Sequence, residues 1–226
     1  MPLDVLIWNM AKCRADDWQA DFLELVHGHQ LLLLQEAGLS PVNLEIFDQH
    51  ESFEWQLARS FRMLRKRLDT GVKTGSRCAA TASFCWHSPD AEPFVRTRKM
   101  LLQTVYPLEH GEQLMVLNAH AINFVRMTGF RRHLDQFAEA AHEHGGPLLL
   151  GGDFNTWRPA RMRYLVDLST ELGMQEIDIP RPRRARHLGQ HLDHLFVRGL
   201  QPSRVQLCAA IQSSDHLPIS VRLERA

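Results

Sequence analysis

The chain has 226 residues, of which 44% are hydrophobic and 23% charged, and this composition is typical of a globular protein with a large core. It excludes disordered, collagen-like and repeat proteins. Lys and Arg together number 26, as do Asp and Glu, so the net charge of zero argues against a protein that coats nucleic acid through its overall field.

The first residues of the chain and its apolar runs indicate where in the cell the protein is expected. The longest aliphatic run, residues 31–34, is far shorter than the roughly 18 residues of a bilayer span, and residues 1–4 lack the basic and apolar regions of a secretory signal. We therefore expect a cytoplasmic protein with no transmembrane segment, and nothing in the sequence implies a protein partner. Reduced thiols, not a disulfide framework, are expected for the four scattered cysteines, Cys13, Cys78, Cys85 and Cys208.

The first elements in chain order form a β-α-β unit. Residues 5–8 and 31–34 are short apolar runs, as expected for strands that are buried on both faces. Between them, Asp16 or Asp17 is the expected N-cap of a helix. The apolar stripe of that helix consists of Trp18, Phe22, Leu25 and Val26.

Further strands and helices are predicted along the rest of the chain. One helix begins near Phe130 and ends before the Gly145-Gly146-Pro147 stop, and another covers residues 160–172. About ten strands with few helices predict two packed sheets with helices outside, in one domain over residues 1–226. The further strands are expected at 53–58, 71–77, 80–87, 100–106, 114–120, 148–153, 192–197, 204–209 and 217–223.

Polar clusters follow six of the predicted strands. Side chains at strand ends gather at one edge of a sheet, so these clusters predict a single convergent site with exposed carboxylates. The clusters are Trp8-Asn9, Gln35-Glu36, Asn118 to Asn123, Gly151 to Asn155, Asp193-His194 and Ser214-Asp215-His216.

Each of these residues also has a structural interpretation. Asn9 alone is more typical of a turn residue than of a ligand, and a carboxylate at Glu36 fits either a cation ligand or a salt bridge. Asp153 fits an Asx-turn, Asp193 a cap, and His216 a satisfied core histidine. These alternatives remain open from the residues alone.

Taken together, the clusters offer oxygen and imidazole groups. The sequence has no cysteine pattern for zinc and no Gly-rich nucleotide loop, whereas carboxylate and amide oxygens suit Mg²⁺ or Mn²⁺. Asp193 and Asp215 can orient an imidazole, and His120 and His216 can exchange protons or bind a phosphoryl oxygen. This set of carboxylate, amide and imidazole groups predicts hydrolysis of phosphate esters.

The ordered set of clusters resembles the endonuclease/exonuclease/phosphatase superfamily, whose fold is similar to that of pancreatic DNase I. The matching motifs appear in the family's order between residues 8 and 218. The most specific are Gly152-Asp153-Phe154-Asn155 and Ser214-Asp215-His216-Leu217-Pro218. The stretches around His120 to Phe124 and Asn155 to Trp157 are most similar to the bacterial YafD-like branch.

The resemblance implies an α/β fold, a four-layer sandwich of two mainly antiparallel β-sheets flanked by α-helices. It also implies that Glu36, assisted by Asn9 and Asp215, holds Mg²⁺ or Mn²⁺. Asp153 would orient or deprotonate the attacking water, and Asn155 would donate to a phosphoryl oxygen. His216, paired with Asp193, would take a proton or stabilise charge. The remaining phosphate contacts would come from His120 and Asn123.

Local basic runs favour a nuclease that acts on DNA or RNA. Arg126 is expected to contact phosphate, and Trp157 either stacks on a base or lipid surface or packs in the core. The alternatives are a phosphodiesterase for lipids or small molecules, which the neutral net charge favours, and a noncatalytic binding module. The basic runs are residues 59–77, 96–99, 126–132, 158–163 and 181–186.

Overall fold

The computed structural model describes residues 2–63, 68–93, 96–180, 186–187 and 190–226. The helices are α1 (Trp18–Val26), α2 (Pro41–Asp48), α3 (Met127–Glu143) and α4 (Pro159–Glu171). The strands are β1 (Leu3–Asn9), β2 (Leu31–Gly38), β3 (Glu54–Met63), β4 (Leu68–Ser76), β5 (Ala82–His87), β6 (Met100–Pro107), β7 (Gln113–His120), β8 (Leu148–Asp153), β9 (Gln175–Glu176), β10 (Arg186–His187), β11 (Gln190–His191), β12 (Asp193–Arg198), β13 (Leu200–Leu207) and β14 (Ile219–Arg225).

Two sheets of six strands each form the body of the protein. The first sheet has the strand order β13-β14-β1-β2-β4-β3 and the second β5-β6-β7-β8-β12-β9. Each sheet contains one parallel pair, β1 with β2 and β7 with β8, and its other pairs are antiparallel. The prediction of two mainly antiparallel sheets is confirmed.

The layers follow from alternation along the strands, because successive side chains of a strand point to opposite faces. Val5 and Ile7 of β1 pack between the sheets, against residues of the second sheet such as Val116. Leu6 and Trp8 face outward against α1 and α2. On the far side, α3 and α4 cover the second sheet through residues such as Phe130 and Leu165. The four-layer sandwich is therefore confirmed.

Two details of the helices differ from the expectations. Asp17 is the residue before α1, but its side chain makes no capping hydrogen bond. The sequence analysis missed α2, which has only eight residues and buries only Ile46 and Phe47. Its start is nevertheless encoded locally, because Ser40 accepts a hydrogen bond from the backbone N–H of Asn43 and Pro41 follows the cap.

The predicted strands are all present, with shifted ends. The largest shifts are at β2, which continues to Gly38, at β3, which continues to Met63, and at β13, which begins at Leu200. The two-residue strands β9, β10 and β11 are too short to leave a periodic pattern. Residues 64–67 of the first basic run and residues 181–185 of the last lie outside the described residues. Within the described part of the chain, no helix is both long and apolar enough to cross a membrane.

Candidate active site

The site forms where the two parallel strand pairs end. Asn9 of β1 lies beside Gln35 of β2, and His120 of β7 lies beside Asp153 of β8. Asp193 begins β12 directly opposite Asp153. A hydrogen bond of 3.0 Å from Asn9 Nδ2 to Asp153 Oδ2 then joins the two sheets at this edge. The predicted convergence of the strand ends is thus present in the structure.

Asp153 is the centre of this arrangement. Its Oδ1 accepts the backbone N–H of Asn155 at 3.0 Å, which is the Asx-type contact anticipated from the sequence. Its Oδ2 lies 3.6 Å from His120 Nε2 and 4.0 Å from His216 Nε2. The expectation of an exposed carboxylate is wrong, since Asp153 is only 3% exposed. Asn9 and the two imidazoles enclose it between the sheets.

A glycine and a strained asparagine shape the backbone around Asp153. Gly152 has φ +143°, and a Cβ there would lie 2.0 Å from the carbonyl oxygen of Ala119. Only glycine therefore allows β8 to approach β7 this closely. Asn155 adopts a positive φ of 50°, a conformation that asparagine tolerates better than most residues.

Glu36 lies where β2 is irregular. The pairing of β2 with β4 shifts between Leu34 and Ala37, and Glu36 has φ 47°, which is the signature of a bulge that redirects a side chain. Its two carboxylate oxygens contact two ammonium groups, Lys12 Nζ at 2.8 Å and Lys99 Nζ at 3.3 Å. Burial raises its pKa, but the neighbouring His120, Lys99 and Lys12 outweigh burial and lower it to about 2. Glu36 is therefore ionised at neutral pH.

Lys99 also contacts His120, with 3.0 Å between Lys99 Nζ and His120 Nε2. Burial, and then the charge of Lys99, lower the pKa of His120 to about 3. At neutral pH His120 is therefore uncharged, its Nε2 accepts the Lys99 proton, and the two ammonium groups are the cations that face Glu36. Sequence reasoning placed Lys99 only in a basic run, because its separation from Glu36 along the chain gives no local signal.

His216 has the opposite electrostatic environment. Its Nδ1 lies 2.9 Å and 3.0 Å from the two oxygens of Asp193. Burial lowers its pKa, but the charge and hydrogen bond of Asp193, with further contributions from Asp153 and Asp215, raise it to about 10. His216 is consequently a cation at neutral pH, held by a carboxylate in a fixed orientation.

The predicted phosphate contacts are joined by side-chain hydrogen bonds. Asn123 Nδ2 donates to Asn155 Oδ1 at 2.7 Å, and Trp157 Nε1 donates to Asn123 Oδ1 at 2.7 Å. Trp157 is partly exposed, and the Arg158 guanidinium lies 4.5 Å above its ring. Arg126 is exposed at the start of α3.

Three of the predicted clusters contain residues that do not line the site together with their neighbours. The Asp215 side chain is exposed, while Ser214 Oγ donates to the carbonyl of Asn9 at 2.6 Å and so ties this turn to β1. Gln35 and Asn118 are fully buried and hydrogen-bonded to each other at 2.7 Å. These two residues serve the core beneath the site and do not line it.

The donor chemistry fits a hard divalent cation. Among the residues that the structure describes, no three His, Cys, Asp or Glu side chains are grouped to hold a metal ion. Magnesium, however, often binds proteins through one or two carboxylates and keeps several waters. Glu36 offers such a carboxylate, and the contact of Lys12 with its Oε2 shows that a cation is accommodated there. Asn9 pairs with Gln35, the residue before Glu36, and its amide oxygen accepts the backbone N–H of Ala11 at 3.1 Å and retains a second lone pair.

A sequence model of the endonuclease/exonuclease/phosphatase family matches residues 6–216. The chain therefore belongs to this family, whose members are nucleases or phosphatases. The resemblance seen in the sequence motifs is confirmed.

One relative by sequence and two solved structures illustrate this similarity. The chain is 32% identical over 223 residues to the UPF0294 protein YE0917 of Yersinia enterocolitica, covering 98% of this chain and 84% of that protein. The fold is similar to an endonuclease/exonuclease/phosphatase from Beutenbergia cavernae, with a TM-score of 0.78, 15% identity, and coverage of 100% and 72% of the two chains. It is also similar to D. rerio TDP2 in complex with a single-strand DNA product, with a TM-score of 0.66, 14% identity, and coverage of 99% of both chains.

Proposed function

We propose that this protein is a divalent-metal-dependent phosphodiester hydrolase that acts on nucleic acid. The observation that carries the proposal is the position of the Asp153 carboxylate, which is buried with its Oδ2 3.6 Å from the His120 imidazole and 4.0 Å from the His216 imidazole. A carboxylate held between two imidazoles is suited to move a proton while the surrounding donors stabilise a phosphoryl oxygen.

In this proposal Glu36 and Asn9 hold the cation, with Asp215 as a further ligand. The bound cation, Mg²⁺ or Mn²⁺, would neutralise charge on the phosphoryl group. Asp153 Oδ2 orients the attacking water and accepts its proton. Asn9 Nδ2 fixes this oxygen at 3.0 Å, so little rearrangement is required at the moment of reaction.

The phosphoryl oxygens would be held by the opposite side of the site. His216 contributes a positive charge and an Nε2 proton, and Asp193 maintains both. Asn155 Nδ2 donates one proton to the carbonyl of Ala121 at 2.9 Å and retains a second N–H for phosphate. Lys99, released from Glu36 when a cation binds there, would provide another phosphate contact.

The placement of arginines supports nucleic acid as the substrate class. Arg126 and Arg158 are exposed at the starts of α3 and α4, so both lie at the end of the second sheet that carries His120 and Asp153. Arginines beside a catalytic phosphate suit a substrate with further phosphates along a strand. The structural relative TDP2, which was solved with a single-strand DNA product, provides a precedent within the fold.

A substrate screen tests the proposal. The purified protein is assayed with Mg²⁺, with Mn²⁺ and with EDTA on single-stranded DNA, RNA, bis-p-nitrophenyl phosphate and phospholipid vesicles. Metal-dependent cleavage of a strand is the expected result. Cleavage confined to phospholipid or the small diester would show that the substrate is a lipid or a metabolite and not a nucleic acid. No cleavage of any diester would favour a noncatalytic binding module.

The cytoplasmic location and the single domain over 1–226 stay predictions, which cell fractionation and limited proteolysis can test.

A further inference from the structure

An exposed phenylalanine lies beside the phosphate contacts of the site. Phe124, in the loop between β7 and α3, is 58% exposed and has φ 49°. A positive φ is unfavourable for a bulky aromatic residue, so the backbone at Phe124 is strained. Strain of this kind persists where the surrounding structure enforces it, and it is concentrated at functional sites.

The loop that carries Phe124 is anchored on both sides. Arg161, only 1% exposed, donates to the carbonyls of Ile122 at 3.0 Å and Val125 at 3.2 Å, which bracket Phe124 in sequence. It also donates to the carbonyl of Asn155 at 3.2 Å. One buried guanidinium therefore fixes the Phe124 loop relative to the loop of Asn155, so the exposed ring belongs to a rigid part of the site.

Asn123 links Phe124 directly to the reaction centre. Its Oδ1 accepts the backbone N–H of Phe124 at 2.9 Å and the indole N–H of Trp157 at 2.7 Å. Its Nδ2 donates to Asn155 Oδ1 at 2.7 Å. Phe124 is thus held one residue from a side chain that contacts Asn155.

The charges around Phe124 alternate with aromatic surface. Arg158 is stacked on Trp157, and Arg126 follows Phe124 by two residues and is exposed. Alternating aromatic and cationic groups complement the bases and phosphates of a nucleic acid strand. A lipid chain would instead require a continuous apolar groove, which a single ring flanked by arginines does not provide.

We propose that Phe124 is a stacking platform for the nucleobase adjacent to the scissile phosphate. This inference rests on the proposed function and assigns to that same site a subsite for a base. Every base has a flat π-face, so the subsite recognises a nucleotide without selecting its sequence. Its role is to position the strand so that the neighbouring phosphate reaches Asn155 and Asp153.

The test compares Phe124→Ala, the aromatic replacement Phe124→Trp, and Phe84→Ala as a matched control. Phe84 is also 58% exposed but lies on β5, the edge strand of the second sheet. The substrates are a single-stranded oligonucleotide and a set of strands in which one position at a time is abasic, with bis-p-nitrophenyl phosphate as a small diester. Circular dichroism checks that each variant is folded.

Phe124→Ala is expected to lower kcat/KM on the intact strand by about 5- to 100-fold, the range for loss of one base–aromatic stack. The kcat/KM of Phe124→Trp and of Phe84→Ala on the intact strand should remain within about twofold of the wild-type value. With the abasic position next to the cleaved bond, wild type should fall to the rate of Phe124→Ala, and the variant should lose nothing further.

Two results would overturn the inference while leaving the proposed chemistry intact. One is an unchanged kcat/KM of Phe124→Ala on the intact strand, and the other is an equal loss on intact and abasic strands. Hydrolysis of bis-p-nitrophenyl phosphate without hydrolysis of any strand would likewise reject the base subsite and retain a phosphodiesterase. Failure of wild type on every diester would reject the proposed function itself, and the subsite with it.

Discussion

Gln35 and Asn118 join the two sheets across the core, with Gln35 Nε2 donating to Asn118 Oδ1 at 2.7 Å. Both side chains are fully buried. Asn118 Nδ2 continues the network to Thr74 Oγ1 at 3.1 Å. Because Gln35 precedes Glu36 and Asn118 lies two residues before His120, this bond sets the distance between a proposed metal ligand and the imidazole opposite it.

Removal of one partner should therefore be costly. Asn118→Leu leaves one N–H of the buried Gln35 amide without an acceptor, while the other still donates to the carbonyl of Leu33 at 3.0 Å, and we expect a loss of roughly 1–3 kcal/mol in the free energy of unfolding. Urea denaturation measures it. The double variant with Gln35→Leu should lose less than the sum of the two single losses, since no unpaired amide remains. Additive losses would mean that the bond does not couple the sheets.

The ion pair of His216 with Asp193 predicts a change in the pH profile. The proposed role requires protonated His216, whose pKa is raised to about 10. Wild-type kcat should therefore stay constant until the pH approaches 10. In Asp193→Asn the alkaline limb of the kcat profile should shift to lower pH, toward the ordinary histidine pKa of 6.5. At pH 8 kcat should fall much more than KM rises. An unshifted limb with a raised KM would contradict the assignment.

The same ion pair predicts how stability depends on pH. A folded-state pKa above the unfolded value means that His216 contributes its full stabilisation below about pH 6.5 and loses it as the pH rises through about 10. The difference in thermal stability between wild type and His216→Gln should accordingly shrink between these limits. A difference that does not vary with pH would show that the histidine is not charged in the folded protein.

Lys12 competes with the proposed metal for Glu36. Its ammonium lies 2.8 Å from Glu36 Oε2 and is carried by a 3-10 turn, Ala11–Cys13, in which all three residues have positive φ. Lys12→Ala should tighten the apparent affinity for Mg²⁺ by up to about fivefold, the range of a partly exposed ion pair. Titration calorimetry measures this, with Lys12→Arg as the control that keeps the competing charge. Weaker binding by Lys12→Ala would show that the lysine supports the metal site.

Arg161 should support both stability and turnover. Arg161→Met leaves three carbonyls without their charged donor, at a cost of roughly 1.5–3 kcal/mol, and frees the loops that position Asn123 and Asn155. We expect kcat to fall with KM changed less, in assays well below the melting temperature, and Arg161→Lys to recover part of the loss. Arg163→Met is the matched control, because Arg163 is exposed on the same helix. Equal kinetics for the two Met variants would limit Arg161 to a packing role.

Much of this organisation is predictable from the sequence because it is local. Short apolar runs end within three residues before Asn9, Glu36, His120 and Asp153, so their strands and the polar groups at their ends can be recognised. Features that depend on contacts between residues distant in sequence cannot be predicted in this way. Neither the approach of Lys99 to Glu36 nor the burial of Asp153 leaves a local pattern.

Residue type alone also does not separate the core from the site. Gln35 and Asn118 belong to the same polar clusters as Glu36 and His120, yet both lie on the faces of β2 and β7 that point between the sheets, and Asn118 lies two residues further from the strand end than His120 on the same face. Arg161 belongs to a basic run that favours phosphate contacts, and it is instead buried over the ring of Phe130. In both cases tertiary structure decides the role.

If Glu36 binds the catalytic cation and Asp153 activates water, their variants should respond differently to added metal, which a titration of three proteins measures. Cleavage of bis-p-nitrophenyl phosphate is followed against Mg²⁺ for wild type, Glu36→Gln and Asp153→Asn, after calorimetry has shown that each is folded. Glu36→Gln should require much more Mg²⁺ to reach half-maximal rate, whereas Asp153→Asn should bind Mg²⁺ nearly as wild type does but lose at least about 100-fold in kcat, as for loss of a general base. Near wild-type turnover by both variants at saturating Mg²⁺ would show that neither carboxylate has its proposed role.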